Sequence, residues 1–274
     1  MSLTAQIAAL AAGFSGTLGV AAKNLTTGEV FGLNASSNFH PASTIKLAVL
    51  VAVYAAVEAG RLTLDEMLPL ESELCMPDGG VMDGFTPLHR YPVRDLAHLM
   101  ISVSDNTATN LLIKRVGFAA VRAVLDRCGL GATELNKYIG IAQPIGAVAN
   151  RTTPADMARL LELLVTGRAL TPASCWAMLE TMCLQKYHFL TTRYIDDWDE
   201  ELPPDKAKVR IASKSGWFRT VRNDVAVIWA PRATYVLAMF SKDCKDDSYK
   251  LDNEAAILLP RVSKVIYDGW GGAL

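Results

Sequence analysis

Apolar positions along this chain keep two different periods, and the period changes with location. The first residues, MSLTAQIAALAAGF, repeat small and apolar side chains at helical spacing and read as an amphipathic helix. Gly16 to Asn24 reads as a strand, Thr27-Gly28 as a turn, and Val30 to Leu33 as the returning strand. From Ser43 to Ala59 the chain is apolar almost throughout, and Gly60 closes it, which predicts a buried helix. Val93, Leu96, Leu99, Met100 and Val103 share one face of a helix over Pro92 to Val103. Shorter helices follow from Thr107 to Val116 and from Phe118 to Cys128, ended by Gly117 and Gly129. Thr153-Pro154 and Thr171-Pro172 each set a capping residue before a proline at the first helical position, and the first of these helices stops at Gly167. After the acidic stretch DDWDEELPPD, read as a solvated surface, three strands follow: VRIASKSG, NDVAVIWA and TYVLAMFS. Asp252 to Trp270 reads as a terminal helix with a kink at Pro260.

Strands therefore occupy both ends of the chain and helices the middle. This predicts an α/β (α+β) protein with one antiparallel sheet assembled from both ends and flanked by the terminal helices. Residues 1–34 and 206–274 would form a discontinuous α/β lobe, and residues 35–205 a mainly helical insertion. A site is expected in the cleft between them. The length of 274 residues suits such a pair of lobes sharing a core, and 51% hydrophobic residues are enough to fill it.

Charge and composition narrow the partners. Twenty-seven basic against 28 acidic residues leave no basic stripe for phosphates, which argues against nucleic acid. The longest apolar run, Leu47 to Val57, falls short of the ~20 residues that cross a bilayer, so no membrane span is expected. No basic segment precedes the first apolar stretch, so it does not read as a signal peptide, though a removed leader leaves the compartment open. Five scattered cysteines (Cys75, Cys128, Cys175, Cys183, Cys244) without a C-x-x-C pair argue against a disulfide framework or a thiolate zinc site. The four histidines show no metal-ligand spacing, and His98, inside an apolar helical pattern, reads as a packed side chain. No metal and no cofactor are expected.

Three short motifs carry candidate chemistry. Ser43-Thr44-Ile45-Lys46 opens the apolar helix. An S-x-x-K match arises about once by chance in a chain this long, and a serine there is often a helix cap. Ser104-Asp105-Asn106 lies between two predicted helices, and Lys214-Ser215-Gly216 ends a predicted strand. Their plainer roles would be a cap for the helix from Thr107 and an exposed strand cation. All three in this order have a joint chance of under about one percent from composition. A serine hydroxyl needs a base to become a nucleophile. Lys46, three residues on, shares a helical face with Ser43. Ile45, Leu47 and Ala48 surround the amine with apolar groups. Acting as a base near pH 7 requires its pKa to fall by about three units, or ~4 kcal/mol. Burial and a second cation, Lys214, would act in that direction, and the helix N-terminus would stabilise charge developing at Ser43 by up to ~2 kcal/mol.

With these motifs the sequence resembles the serine β-lactamases and penicillin-binding proteins, and class A β-lactamases most closely. PASTIKLAVL, VRDLAHLMISVSDNTATNLLI, TTPADMARLL and the KSG strand carry the resemblance over most of the chain. It implies the same two-lobed fold, a small-molecule β-lactam or peptidoglycan-like substrate, and an acyl-enzyme on Ser43. It further implies that Ser104 relays a proton to the leaving nitrogen and that Asn106 holds the substrate's side-chain amide. Lys214 and Ser215 would receive the substrate carboxylate, and Gly216 would let the strand approach closely. The backbone N–H groups of Ser43 and Trp217 would form an oxyanion hole, and Arg219 or Arg222 would assist the carboxylate, a choice left open.

One part of the pattern is missing. Class A enzymes carry a glutamate before the Thr-Thr-Pro helix that activates the deacylating water. Here that position holds Ile139, and the asparagine position that steadies the water holds Gln143. No carboxylate lies between Lys137 and Arg151. Glu134 falls too early and reads as an ordinary surface residue, and Tyr138, a conceivable substitute base, reads first as a packed aromatic. Loss of a general base costs ~10²–10⁴ in rate, so acylation with slow release is expected. A weak β-lactamase, a DD-peptidase or esterase-type hydrolase, and a cell-wall-sensing module acylated once all fit; an amidase of the glutaminase type fits less well. Oligomeric state is not readable from the sequence.

Overall fold

The computed structural model describes residues 2–86, 89–141, 148–202 and 206–272. Helix α1 (Leu3–Ala12) leads into β1 (Thr17–Asn24) and β2 (Val30–Leu33). Then come α2 (Lys46–Glu58), the short pair β3 (Met67–Pro69) and β4 (Arg90–Pro92), α3 (Val93–Ser102), α4 (Asn106–Val116) and α5 (Phe118–Cys128). Helices α6 (Pro154–Val165), α7 (Pro172–Cys183) and α8 (Phe189–Thr192) precede β5 (Arg210–Phe218), β6 (Val221–Trp229), β7 (Thr234–Lys242) and α9 (Glu254–Ile266).

Among the described residues the main sheet has five antiparallel strands in the order β2-β1-β7-β6-β5, so strands from the two ends of the chain meet at β1 and β7. Helices cover both faces, which is why β6 and β7 read as continuous apolar runs rather than as alternating ones. Val225, Val227, Val236, Ala238 and Phe240 enter the larger core, packed with α2 to α7. Ala226, Ile228, Tyr235, Leu237 and Met239 face the smaller core under α1 and α9. The fold is the mixed α/β arrangement expected, with the sheet built from both chain ends. Among the described residues no helix is long and apolar enough to cross a membrane.

Helix α2 is buried on all sides from Lys46 to Val53, as a helix without a polar face must be. The expected helical start at Ser43 is corrected in one respect. Ala42–Ile45 forms a turn of 3-10 helix, and α2 proper begins at Lys46. Such tight turns are common at helix starts, and with three residues per turn they align positions i and i+3. Ser43 and Lys46 are such a pair. The helix expected from Thr107 begins at Asn106, because Asp105 rather than Ser104 is its cap, accepting from the Ala108 N–H at 2.8 Å. Thr153 and Thr171 cap α6 and α7 as expected. Helix α9 runs through Pro260 to Ile266, and Tyr267–Gly271 continue as a wider π turn. His98 is exposed, not packed. It points away from Val93, Leu96, Ala97 and Met100, although Ile101 and Ser102 further along α3 are buried. All five cysteines are free thiols.

Candidate active site

Ser43 stands where two cavities meet. One, of about 420 Å³, is lined by His40, Ala42, Ser43, Asn106, the 137–141 segment, Asn150, Trp217 and Phe218. The other, of about 380 Å³, includes Ser43, Gly79, Gly80, Ser104, Asn106, Tyr187, Ser215, Gly216, Trp217 and Tyr249. Ser43, Asn106 and Trp217 belong to both. The Ser43 side chain makes no capping bond: Pro41 occupies the cap position of the turn, without a side-chain hydrogen bond. Ala42, just before it, has φ 48°, a left-handed conformation that a residue with a Cβ adopts at a cost of roughly 1–2 kcal/mol.

Lys46 is wholly enclosed beneath this junction. Its amine donates to the Ser104 carbonyl at 2.6 Å, to the Ser104 hydroxyl at 3.1 Å and to Asn106 Oδ1 at 2.7 Å. None of these bonds goes to the Ser43 hydroxyl. Burial, and secondarily the charge of Lys214, pushes the amine well below the ordinary lysine range, against an opposing pull from Asp105. Ser104 also has a left-handed backbone, φ 58°, which turns its carbonyl and hydroxyl together toward Lys46. Its neighbour Asp105 is fully buried and locks this turn from behind, accepting from the N–H groups of Met82 and Ala108. Asn106 thus spends its side-chain oxygen on Lys46 and keeps its amide N–H groups for the cavity.

Strand β5 forms the facing wall. Gly216 passes so close to the serine turn that a Cβ there would sit 2.5 Å from the Ser43 backbone nitrogen, so only glycine permits this approach. Lys214 is fully buried, not an exposed strand cation, and donates to the Ser215 carbonyl at 2.7 Å. Burial lowers its pKa to about 7, while Asp224 works to raise it. Asp224, register partner of Ser215, is fully buried and raised to about 7 by that burial. One of its oxygens accepts from Thr191 Oγ1 at 2.8 Å and the other has no partner among the described residues.

Neither arginine lines either cavity. Arg222 is buried and donates to the backbone carbonyls of Arg219, Val221 and Ser248, with its guanidinium 5.5 Å from the centre of the Tyr249 ring. Arg219 is largely exposed and faces Asp247.

In the loop, Ile139 lines the first cavity and exchanges two hydrogen bonds with the buried Asn110, through its N–H at 2.8 Å and its carbonyl at 3.0 Å. Gln143 lies outside the described residues. Glu134 pairs with Arg151 at 2.6 Å and lines neither cavity at Ser43. Tyr138 packs edge-on against Phe118, ring centres 5.1 Å apart, while also bordering the first cavity. The sequence reading did not single out His40, Lys137, Asn150, Tyr187 or Tyr249. No motif spacing marks them: Lys137 and Asn150 come from the connection between α5 and α6, and His40, Tyr187 and Tyr249 each from another loop.

A sheet made from both chain ends, helices on both its faces, and a serine over a buried lysine define the class: β-lactamase-like hydrolases. The chain belongs to the Beta-lactamase enzyme family, whose profile it matches over residues 2–270. Its structure is similar to a beta-lactamase from Sphaerobacter thermophilus, 32% identical, with a TM-score of 0.86 over 97% of this chain and 96% of that one. A PBP-A variant solved as its acyl-enzyme complex with penicillin G is 29% identical, TM-score 0.85, over 97% and 95% of the two chains. A variant of the last common ancestor of Gram-negative bacterial class A beta-lactamases is 29% identical, TM-score 0.82, over 98% of each.

Proposed function

We propose that the protein opens β-lactam amides through an acyl-enzyme on Ser43 and releases the acyl group slowly, the work being shared by a sheet lobe of residues 1–34 and 206–274 and a helical lobe of residues 35–205. The observation that carries this reading is the enclosed amine of Lys46. In its neutral form it can take the Ser43 proton as Oγ attacks the lactam carbonyl. When the C–N bond breaks, the proton passes through Lys46 and the Ser104 hydroxyl, 3.1 Å away, to the departing nitrogen. The N–H groups of Ser43 and Trp217, held together by the close passage of Gly216, would stabilise the oxyanion, each such donor contributing ~10²–10³ in rate. Asn106 would hold the substrate's side-chain amide, and Lys214 and Ser215 its carboxylate. Arg222 would act through Tyr249 rather than by contact, and Arg219 at longer range. The acyl-enzyme complex of the PBP-A variant with penicillin G supports penicillins as reactants.

Slow release is supported by Ile139. An apolar side chain borders the cavity where a water base would be needed, and no carboxylate lies between Lys137 and Arg151. The same observation favours a second reading, a module that acylates once and stays trapped. Intact mass after exposure to penicillin G separates the two: an adduct that decays with product release makes an enzyme, and one that persists makes a trap. Ile139→Glu is expected to shorten the adduct's lifetime by about 10²-fold, the contribution of a general base. An unchanged lifetime would place the water's activation elsewhere.

The pH profile follows from the two lysines. Lys46 must be neutral to act, so acylation rises on the acid side as it loses its proton. Lys214 must be charged to hold a carboxylate, and with its pKa at about 7 that hold weakens as pH rises through neutrality. Asp224 raises the Lys214 pKa, so Asp224→Asn is expected to move the alkaline fall of kcat/KM to lower pH. A shift to higher pH, or none, contradicts this assignment.

A further inference from the structure

We infer that the cavity beside the 137–141 segment selects an acyl side chain bearing a carboxylate, and that Lys137 determines this preference. The inference rests on the acyl-enzyme reading and adds to it the substrate's chemistry.

The polar groups of this wall are donors. Asn106 Oδ1 is occupied by Lys46, which leaves the amide N–H groups. Asn150 Oδ1 already accepts from the N–H groups of Asn136 and Lys137, at 2.8 and 3.2 Å. His40 Nδ1 accepts from the Ala42 N–H at 3.0 Å, so the neutral ring carries its proton on Nε2. Apart from the hydroxyls of Ser43 and Tyr138, no side-chain acceptor among the described lining residues is open. Lys137 adds a full positive charge, and among the described residues its amine has no ion pair. The other cation bounding this loop, Arg151, is already matched by Glu134. The charge of Lys137 reaches across the cavity, since it assists burial in lowering the His40 pKa. No acid in the loop offsets it: the chain has none between Lys137 and Arg151. Around these groups Ile139, Ile141 and Phe218 form an apolar wall that admits an aromatic or aliphatic body. A half-buried cation with no ion-pair partner among the described residues, beside the neutral donors of Asn106 and His40 and an apolar wall, complements an anionic group on an apolar side chain.

Benzylpenicillin and its α-carboxy analogue differ only in that group. The test measures their second-order acylation rates by quench-flow intact mass on the full chain. The α-carboxy analogue is expected to acylate about ten-fold faster, the scale of a charge-assisted hydrogen bond. The ratio should fall toward one at high salt, as screening removes the attraction. It should also fall to about one in Lys137→Met, invert in Lys137→Glu and persist in Lys137→Arg. Equal rates in the unsubstituted protein, or a preference that survives Lys137→Met, overturn the inference while leaving the acyl-enzyme reading intact. Absence of any adduct with either penicillin overturns both.

Discussion

Replacement of Ser43 by alanine is expected to abolish the penicillin adduct and to reduce hydrolysis of a chromogenic cephalosporin by about 10³-fold or more, as loss of a nucleophile does elsewhere. The prediction separates chemistry from stability with little ambiguity. The hydroxyl caps no helix and has no hydrogen-bond partner among the described residues, so its removal orphans no buried group. The tight passage of Gly216 against the serine turn depends on backbone atoms that alanine keeps. Ser43→Ala should therefore unfold at nearly the temperature of the unsubstituted protein while failing to acylate. If the two proteins turn over substrate alike, Ser43 is not the nucleophile.

Lys46→Met carries the second large effect. Methionine keeps most of the volume inside a fully enclosed position but removes the amine. Acylation should slow by ~10²–10⁴, the usual contribution of a general base. Stability should change much less, because two opposing terms are involved. The Ser104 carbonyl and Asn106 Oδ1 lose a donor, a cost of ~1–3 kcal/mol for each group left unsatisfied. Against this, the desolvation penalty of enclosing an amine disappears. A residue that merely filled space would lower the amount of folded protein without altering the pH profile. Loss of the base should erase the acid limb of acylation, and the pH profile of Lys46→Met reads this directly.

Much of the frame was readable before the structure. The long apolar run identifies α2 because no face of it is polar, and the threonine–proline pairs fix two helix starts through backbone chemistry alone. Strands β5 to β7 stand out as apolar runs bounded by turns. The three motifs point to the cleft because a nucleophile, its base and a carboxylate receptor have few alternatives in residue type. Counting also drew attention to Ile139, which the structure places on the wall of the first cavity, its backbone held by reciprocal hydrogen bonds with Asn110.

What escaped has physical causes. Strands β3 and β4 are three residues each, too short to show a period of two. His98 sits among apolar letters, and such a run does not by itself show which single position of α3 faces solvent. The motif set places Lys214 beside the cleft, but its complete burial was not legible, because a strand covered on both faces does not reveal which of its polar residues are enclosed. His40 reaches the cleft through the pairing of Phe39 with Thr152, far apart in sequence, and Lys137 through the side chain of Asn150, a contact across one loop that has no regular period. Tyr187 and Tyr249 come from loops with no local pattern. Such residues shape the walls of the cleft, and their positions depend on how loops close rather than on any periodicity.

The most direct measurement is the pre-steady-state time course of chromogenic cephalosporin hydrolysis. Acylation at Ser43 followed by slow release predicts a burst equal in amplitude to the protein present, then a much slower steady rate. Product formation at a constant rate from the first milliseconds, with no burst and no mass adduct on the Ser43 peptide, would contradict it.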